Sequence, residues 1–562
     1  MIQTMSQIFE IADQYVEKVA EMSPLSATYM GVPGHDHRMN DFSPEASDAE
    51  AELDRATLAE LESAHVEGDY DRIAREAMMD SLRLSLDRHD ANEHYRSLSM
   101  IFSPIHSMRQ VFDLMPRDTE EAWSNIASRM ALIPEGVASY RRTLEEGLER
   151  GLVVAKRQAI ETAEQCDVWN GSVEGQQSFF EGLLDNFQQS GIESEAIESD
   201  LKAAAESANR GIADIAQFLR ETYIPGASDR DAVGEERYSL GARVYNGIEL
   251  DLLDTYHWGW EQLAWVDSEM ERTAEEIAPG NTIEEVVQIL EADPDRAIEG
   301  VDEFQQWMQD LQDRTIAELN GVHFDIADPV KTIEAMIAPP GGALAMYYTH
   351  PSEDFSRPGR TWYPTGGKTR FPLWGEVSIA YHEGVPGHHF QLGTTVYLSD
   401  RLSRFQRLLG GTSGHAEGWA LYAERLMGEL GYLDNPDYYL GMLAGQALRS
   451  VRVIIDIGMH LELETPRDQP FHPGETWNRD LGLEFIKQKG RFPEDFVTSE
   501  VSRYLGIPGQ AISYKVGERE WLSAREESKR KLGSDFDLKE WHTRALSLGP
   551  MGLAQMRREL TA

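Results

Sequence analysis

The chain has 562 residues, with 97 Asp and Glu against 52 Lys and Arg, a formal net charge of −45. Hydrophobic residues make up 41% of it, which excludes global disorder and leaves material for two or more domains or one large helical one. Acidity of this strength argues against nucleic acid or an anionic membrane surface as partner, because both need a basic face.

Of the cations, 11 are Lys and 41 are Arg, a balance that suits a salt-rich cytoplasm or a biased genome composition. The single cysteine, Cys166, excludes an internal disulfide and a multi-thiolate metal site. The first residues have acids inside the first apolar stretch and no basic leader, so they do not read as a signal peptide. No run of about 18 apolar residues occurs. A cytoplasmic protein, monomer or homodimer, is the expectation.

Helical periodicity dominates the first part of the chain. Apolar residues recur at three- and four-residue spacing over 47–87, 119–150, 151–167, 192–223, 247–277, 283–292 and 297–319. Acids gather at helix starts, as in the Pro-Arg-Asp-Thr-Glu-Glu of 116–121, where the helix dipole favours them. Ile-Pro-Gly at 224–226 and Ala-Pro-Gly at 278–280 read as breakers. The texture changes near residue 336. From 337 to 375 the chain is rich in Pro, Gly and aromatic residues, with five Tyr or Trp. Short strands or the wall of a cleft are expected there. Helical signals resume at 376–398, 415–430, 436–463, 478–488, 494–504 and 509–532. The fold is therefore expected to be mainly α. Residues 1–335 form an N-terminal helical region and 336–562 a C-terminal one, in one compact unit with a cleft between the halves.

The segment that carries chemistry is Glu376-Val-Ser-Ile-Ala-Tyr-His-Glu-Gly-Val-Pro-Gly-His-His-Phe-Gln391. In the zinc hydrolase arrangement H-E-x-x-H, two imidazoles four residues apart converge on one metal, and the intervening Glu is the general base. Here His382-Glu383 is followed at the fourth position by Pro386, so the strict pattern is absent. On an ideal helix His388 would point about 120° away, and His389 would share the face but lie about 10 Å along it. Proline removes a helix hydrogen bond and clashes with the preceding turn. A bulge near Val385 that absorbs two residues would carry His388 to the second ligand position, with His389 as the alternative. In one large class of zinc peptidases the third ligand is a Glu on a second helix a few dozen residues on. Glu417 follows His388 by 29 residues. Glu424, two turns further along, is expected either to orient a ligand His or to pair with an Arg. One Zn2+ is the expected cofactor, and a small peptide the expected substrate.

The combination of His382-Glu-x-x-Pro-Gly-His-His389, Glu417-Gly-Trp-Ala-Leu-Tyr-Ala-Glu424, Ser499-Glu-Val-Ser-Arg-Tyr504 and Pro508-Gly-Gln-Ala-Ile-Ser-Tyr-Lys515 resembles the domain-of-unknown-function family 885. The resemblance spans nearly the whole chain and includes the Ser-Arg-Pro-Gly of 356–359. It implies an almost all-helical fold similar to the gluzincin peptidases of the angiotensin-converting enzyme, thimet oligopeptidase and thermostable carboxypeptidase type. It does not specify a substrate.

Several further residues are candidates for the same site. Arg503, Tyr504, Lys515 and His389 are expected to contact substrate, since a carboxypeptidase or dipeptidase needs a cation for the terminal carboxylate. Tyr514 is the expected donor to the oxyanion. Tyr347, Tyr348 and Arg357 are placed on the cleft wall. His415 is open between a helix start, a substrate contact and the surface. Arg449, Arg452 and Asp456 share a helix face and read as a structural ion-pair ladder. No phosphate-binding glycine loop and no G-x-S-x-G elbow occurs. The sequence thus predicts a zinc-dependent hydrolase of short peptides, with His382, His388 and Glu417 on the metal and Glu383 as base. Hydrolysis of a non-peptide amide or ester, or a helical binding protein without catalysis, are the alternatives. The acidic surface predicts that cationic peptides are preferred at low salt.

Overall fold

The computed structural model describes residues 6–338 and 346–562; part of the Pro- and Gly-rich stretch at 337–375 therefore lies outside the described residues. Helices make up 68% of the chain and strands 5%, so the mainly α expectation holds. Most expected helices are present, some divided. The run at 47–87 is two helices, Pro44–Ser63 and Asp69–Asp90, and that at 119–150 is Glu120–Ala131 and Ile133–Arg150. The break expected at 224–226 comes later. A π-helical turn at Leu219–Tyr223 leads into a short helical turn at Ile224–Gly226, and the backbone turns extended only at Ala227. Pro225 sits at the start of that turn, where a missing N–H costs little.

The chain forms two compact units. The first comprises Met1–Glu67, Ser81–Val233 and Ser502–Ile507; the second comprises Gly68–Asp80, Gly234–Val501 and Pro508–Ala562. The division expected at 335/336 is not a unit boundary, because the change of composition there marks strands that belong to the second unit. In the first unit, helix Glu195–Phe218 packs on Glu120–Ala131, Ile133–Arg150, Lys156–Trp169 and Phe179–Gln189. Its buried face carries Ala204, Ala205, Ala208 and Gly211, small residues that let the neighbouring helices close in.

The second unit is built on two helix pairs, Leu252–Ile277 against Pro436–Leu461 and Ser413–Glu429 against Ser513–Leu532. Every residue from Leu440 to His460 is buried, which fits a helix apolar on nearly all sides. The second pair touches backbone to backbone: a Cβ on Gly418 would lie 2.4 Å from Gly517. Among the described residues, five short strands complete this unit. β1 (Ala297–Glu299) pairs antiparallel with β5 (Arg370–Pro372). β2 (Ile333–Ile337) runs parallel to β4 (Gly359–Tyr363), which pairs antiparallel with β3 (Tyr347–Thr349) in register Tyr347 to Trp362. β4 alternates, burying Gly359, Thr361 and Tyr363, the period-2 pattern of a strand with one packed face.

Candidate metal centre

The His–Glu helix runs from Glu376 to Glu383 and the next from His388 to Tyr397. Between them the backbone leaves helical register. The Gly387 amide donates to the Tyr381 carbonyl, six residues back, at 3.0 Å, and the His389 amide to the Gly384 carbonyl at 3.1 Å. The Val385–Pro386 peptide is cis. A six-residue step in place of four absorbs the Pro-Gly insertion, and His388 comes round beside His382. Their rings are 4.8 Å apart at 87°.

Neighbouring helices hold this break in place. Gln312, on helix Val301–Leu319, donates to the Ala380 carbonyl at 2.9 Å and accepts from the Val385 amide. Trp419 Nε1 donates to the Pro386 carbonyl at 2.9 Å. There is no space for a side chain at Gly387, where a Cβ would lie 2.0 Å from the His382 carbonyl oxygen.

Glu417 Oε2 lies 3.4 Å from Nε2 of His382 and 3.4 Å from Nε2 of His388, and apart from these contacts it has no hydrogen bond among the described residues. Zinc bonds of about 2.0–2.2 Å put the corners of a tetrahedron about 3.3–3.6 Å apart, so each imidazole stands at the separation from this oxygen that two ligands of one such ion need. A carboxylate oxygen of Glu383 also lies with His382 and His388 in a donor group spanning 4.8 Å. Glu417 is the better candidate for a third ligand, because a single oxygen stands at the tetrahedral distance from both imidazoles.

Behind the site, Glu424 accepts from His382 Nδ1 at 2.7 Å and from the Ser378 hydroxyl at 2.5 Å. Of the two roles expected for Glu424, it thus orients a histidine and also faces an arginine, Arg449, at 3.5 Å. This bond leaves His382 Nε2 turned toward Glu417. Nδ1 of His388 is buried without a hydrogen-bond partner among the described residues.

The electrostatics follow from burying three carboxylates together. Burial raises Glu383 above the usual glutamate range, and its His neighbours only partly offset this. Burial acts the same way on Glu417, but His388 and His382 outweigh it and hold that carboxyl well below the range. Glu424 is likewise held low against burial, by Arg449, His382 and Ser378. His382, which burial alone would depress, is held up at about 9 by Glu417 and Glu424. A buried cluster with this much negative charge favours a cation.

The site opens into a pocket of about 480 Å³. Tyr347, Tyr348 and Tyr514 line it, as does the 448–452 turn of helix Pro436–Leu461. Tyr514 stacks near His382, with ring centroids 6.4 Å apart, and the Arg452 guanidinium covers its ring at 4.5 Å.

Other expected contacts lie elsewhere. His389 does not line the pocket: its Nε2 donates to the Val330 carbonyl at 2.7 Å, which leaves Nδ1 to accept from the Tyr348 hydroxyl at 2.9 Å. Two steps past the break, its ring points into the protein, and burial lowers it to about 4. Lys515, next to Tyr514 on the helix, points the other way. It is wholly buried and bonds to Glu518 at 2.6 Å and Gln446 at 2.7 Å. Arg503 and Tyr504 are not lining residues; the guanidinium covers the buried tyrosine ring at 4.9 Å. Arg357 is not a lining residue. His415 is buried between Gln391 and Trp521, lowered to about 4 by burial. The Cys166 thiol is buried and pushed up to about 12, which leaves it unactivated.

Sequence reasoning missed Ser378 and Trp419, which hold the ligands' supports, and Phe492 and Phe496 on the pocket wall. It also read Arg449 and Arg452 as a structural ladder, whereas both line the pocket. The three- and four-residue spacing that suggested the ladder reports only a shared face, and the facing element is not visible in one sequence.

Among solved structures, a candidate lipoprotein of Colwellia psychrerythraea is similar over 99% of this chain and 98% of its own, with 21% identity and a TM-score of 0.85. A candidate lipoprotein of unknown function from Shewanella oneidensis is similar over 99% and 100%, with 19% identity and a TM-score of 0.74. Both likenesses concern the fold. No curated protein matches. Among the described residues no helix is long and apolar enough to cross a membrane. Residues 24–560 match the family described as bacterial protein of unknown function, DUF885, and the chain belongs to it.

Proposed function

We propose that the chain is a zinc-dependent hydrolase of short peptides, with an active site of the gluzincin kind. The observation that carries this reading is the single Glu417 oxygen 3.4 Å from Nε2 of both His382 and His388, with Glu383 beside them in an open pocket. His382, His388 and Glu417 would hold the ion. When bound there, zinc supplies Lewis-acid polarisation of the scissile carbonyl and acidifies water.

The chain's own residues supply the rest. Glu424 fixes which nitrogen His382 presents. Glu383, raised by burial, is suited to take the proton of the attacking water and pass it to the leaving amine, since a general base works best near the operating pH. Tyr514 would donate its hydroxyl to the oxyanion, and Arg452 over its ring favours developing negative charge there. The apolar wall given by Ile379, Leu392, Phe492 and Phe496 would take substrate side chains and exclude water.

A mixed-peptide library followed by mass spectrometry tests the reading. The zinc-loaded protein should cut short peptides, lose this on chelation and regain it with added zinc. Hydrolysis of small esters or amides with no peptide cleavage would replace the substrate class. Absence of bound metal at micromolar zinc would refute the proposal.

A further inference from the structure

The proposed hydrolysis leaves one cation of the pocket unused. Helix Pro436–Leu461 brings Arg449 and Arg452 to the wall three residues apart, 8% and 6% exposed. Arg452 is engaged by Glu500 at 2.6 Å and by the Tyr514 ring. Arg449 is held more loosely, 5.8 Å from the centre of the same ring. Its ion-pair partner is Glu424 at 3.5 Å, longer than a charge-assisted hydrogen bond. That carboxylate is already committed to His382 and Ser378. Arg449 Nε is buried with no hydrogen-bond partner among the described residues. Gly445, one turn back, makes room for the head group, since a Cβ there would lie 2.5 Å from Nη1.

A guanidinium carries five donors in a fixed fork and keeps its charge. A buried donor without an acceptor is costly, and this guanidinium shares with the proposed metal ligands a pocket otherwise lined largely by apolar and aromatic side chains. The acceptor that fits a planar fork in such surroundings is a carboxylate.

We propose that Arg449 holds a carboxylate of the substrate, so that peptides are cut close to a free C-terminus or an acidic side chain; this rests on the hydrolase reading above. Arg449 is then the specificity-determining residue that the sequence places at Arg503. The local chemistry also runs against the net charge of −45, which alone would favour cationic peptides.

The test uses three matched peptides on the zinc-loaded protein: one with a free C-terminus, its C-terminal amide, and an amide carrying Glu in the last position. Wild type should prefer the free acid over the plain amide by about 10- to 100-fold in kcat/KM, the worth of a hydrogen bond to a charged group. If the Glu-bearing amide matches the free acid, a side chain supplies the carboxylate; if it behaves as the plain amide, the terminus does. In Arg449→Gln the preference should fall to about threefold or less, and Arg449→Lys should restore part of it. Equal rates on acid and amide in wild type would overturn the proposal. So would an Arg449→Gln variant that loses both alike and binds zinc more weakly, because Arg449 would then only steady Glu424. Calorimetric binding of 3-phenylpropionate against 3-phenylpropionamide gives a reading independent of turnover. A preference for the acid that Arg449→Gln removes sustains carboxylate recognition even if no peptide is cut, whereas peptide cleavage without that preference leaves the hydrolase standing and removes Arg449 from it.

Discussion

Replacing Glu424 by Gln isolates the support behind the candidate metal centre. The change keeps the shape but removes the charge from a fully buried group that bonds His382 at 2.7 Å and Ser378 at 2.5 Å and faces Arg449 at 3.5 Å. An amide oxygen can still accept one of those bonds. It can no longer hold His382 in the orientation that turns Nε2 to Glu417, nor balance Arg449. Carboxylates behind a ligand histidine typically contribute 10- to 100-fold in metal affinity, about 1.4–2.7 kcal/mol. Glu424 should lie in the upper part of that range, because its bond to His382 is short and fully desolvated. The assay is competition for zinc against a chromophoric chelator, with Ser378→Ala alongside, which should weaken binding by less than about tenfold. An affinity within twofold of wild type would refute the reasoning.

Other perturbations give distinct readouts. Gly387→Ala places a Cβ 2.0 Å from the His382 carbonyl and 2.4 Å from that of Tyr381, so thermal denaturation should show a loss of about 1–3 kcal/mol or more, with zinc affinity falling as His388 is displaced. Lys515→Met removes the nearer of two cations from buried Glu518, leaving Arg425 at 3.4 Å; chemical denaturation should report a loss of about 1–3 kcal/mol, while KM for peptide stays within twofold. The doubly hydrogen-bonded pair of Arg72 and Glu559, at 2.7 Å on each oxygen, holds Glu559 below its ordinary 4.5. A depressed carboxylate adds stability above its unfolded pKa and loses it as pH falls through the folded one. Melting curves of Glu559→Gln against wild type should therefore differ at pH 7 and converge well below pH 4.5. Salt separates two charge effects: any steering of cationic peptides by the acidic surface should fade as ionic strength rises, while the carboxylate preference of the buried Arg449 should persist.

The helices were legible because the apolar period is strong, and the strands were foreshadowed by the Pro, Gly and aromatic residues after 336. The candidate cluster could be drawn from spacing, since the Pro-Gly insertion signals two extra residues that the backbone must absorb, and the Gly387-to-Tyr381 bond is that absorption. What spacing does not carry is direction off the common face. His389 and Lys515 sit next to site residues, yet one step along a helix turns a side chain by about 100°, into the Val330 carbonyl and the Glu518 pair respectively. Arg449 shows the converse. Its ladder partners were visible in the sequence, but its place on the pocket wall depends on a helix more than twenty residues upstream, the one that carries Glu424.

The central claim is that Glu383 moves protons at a metal held by its neighbours. Zinc stoichiometry and peptide turnover measured together on Glu383→Gln test it most directly. The account predicts about one zinc per chain, as in wild type, with kcat reduced by about 10²- to 10⁴-fold; a variant that keeps its zinc and turns over peptides at the wild-type rate would contradict it.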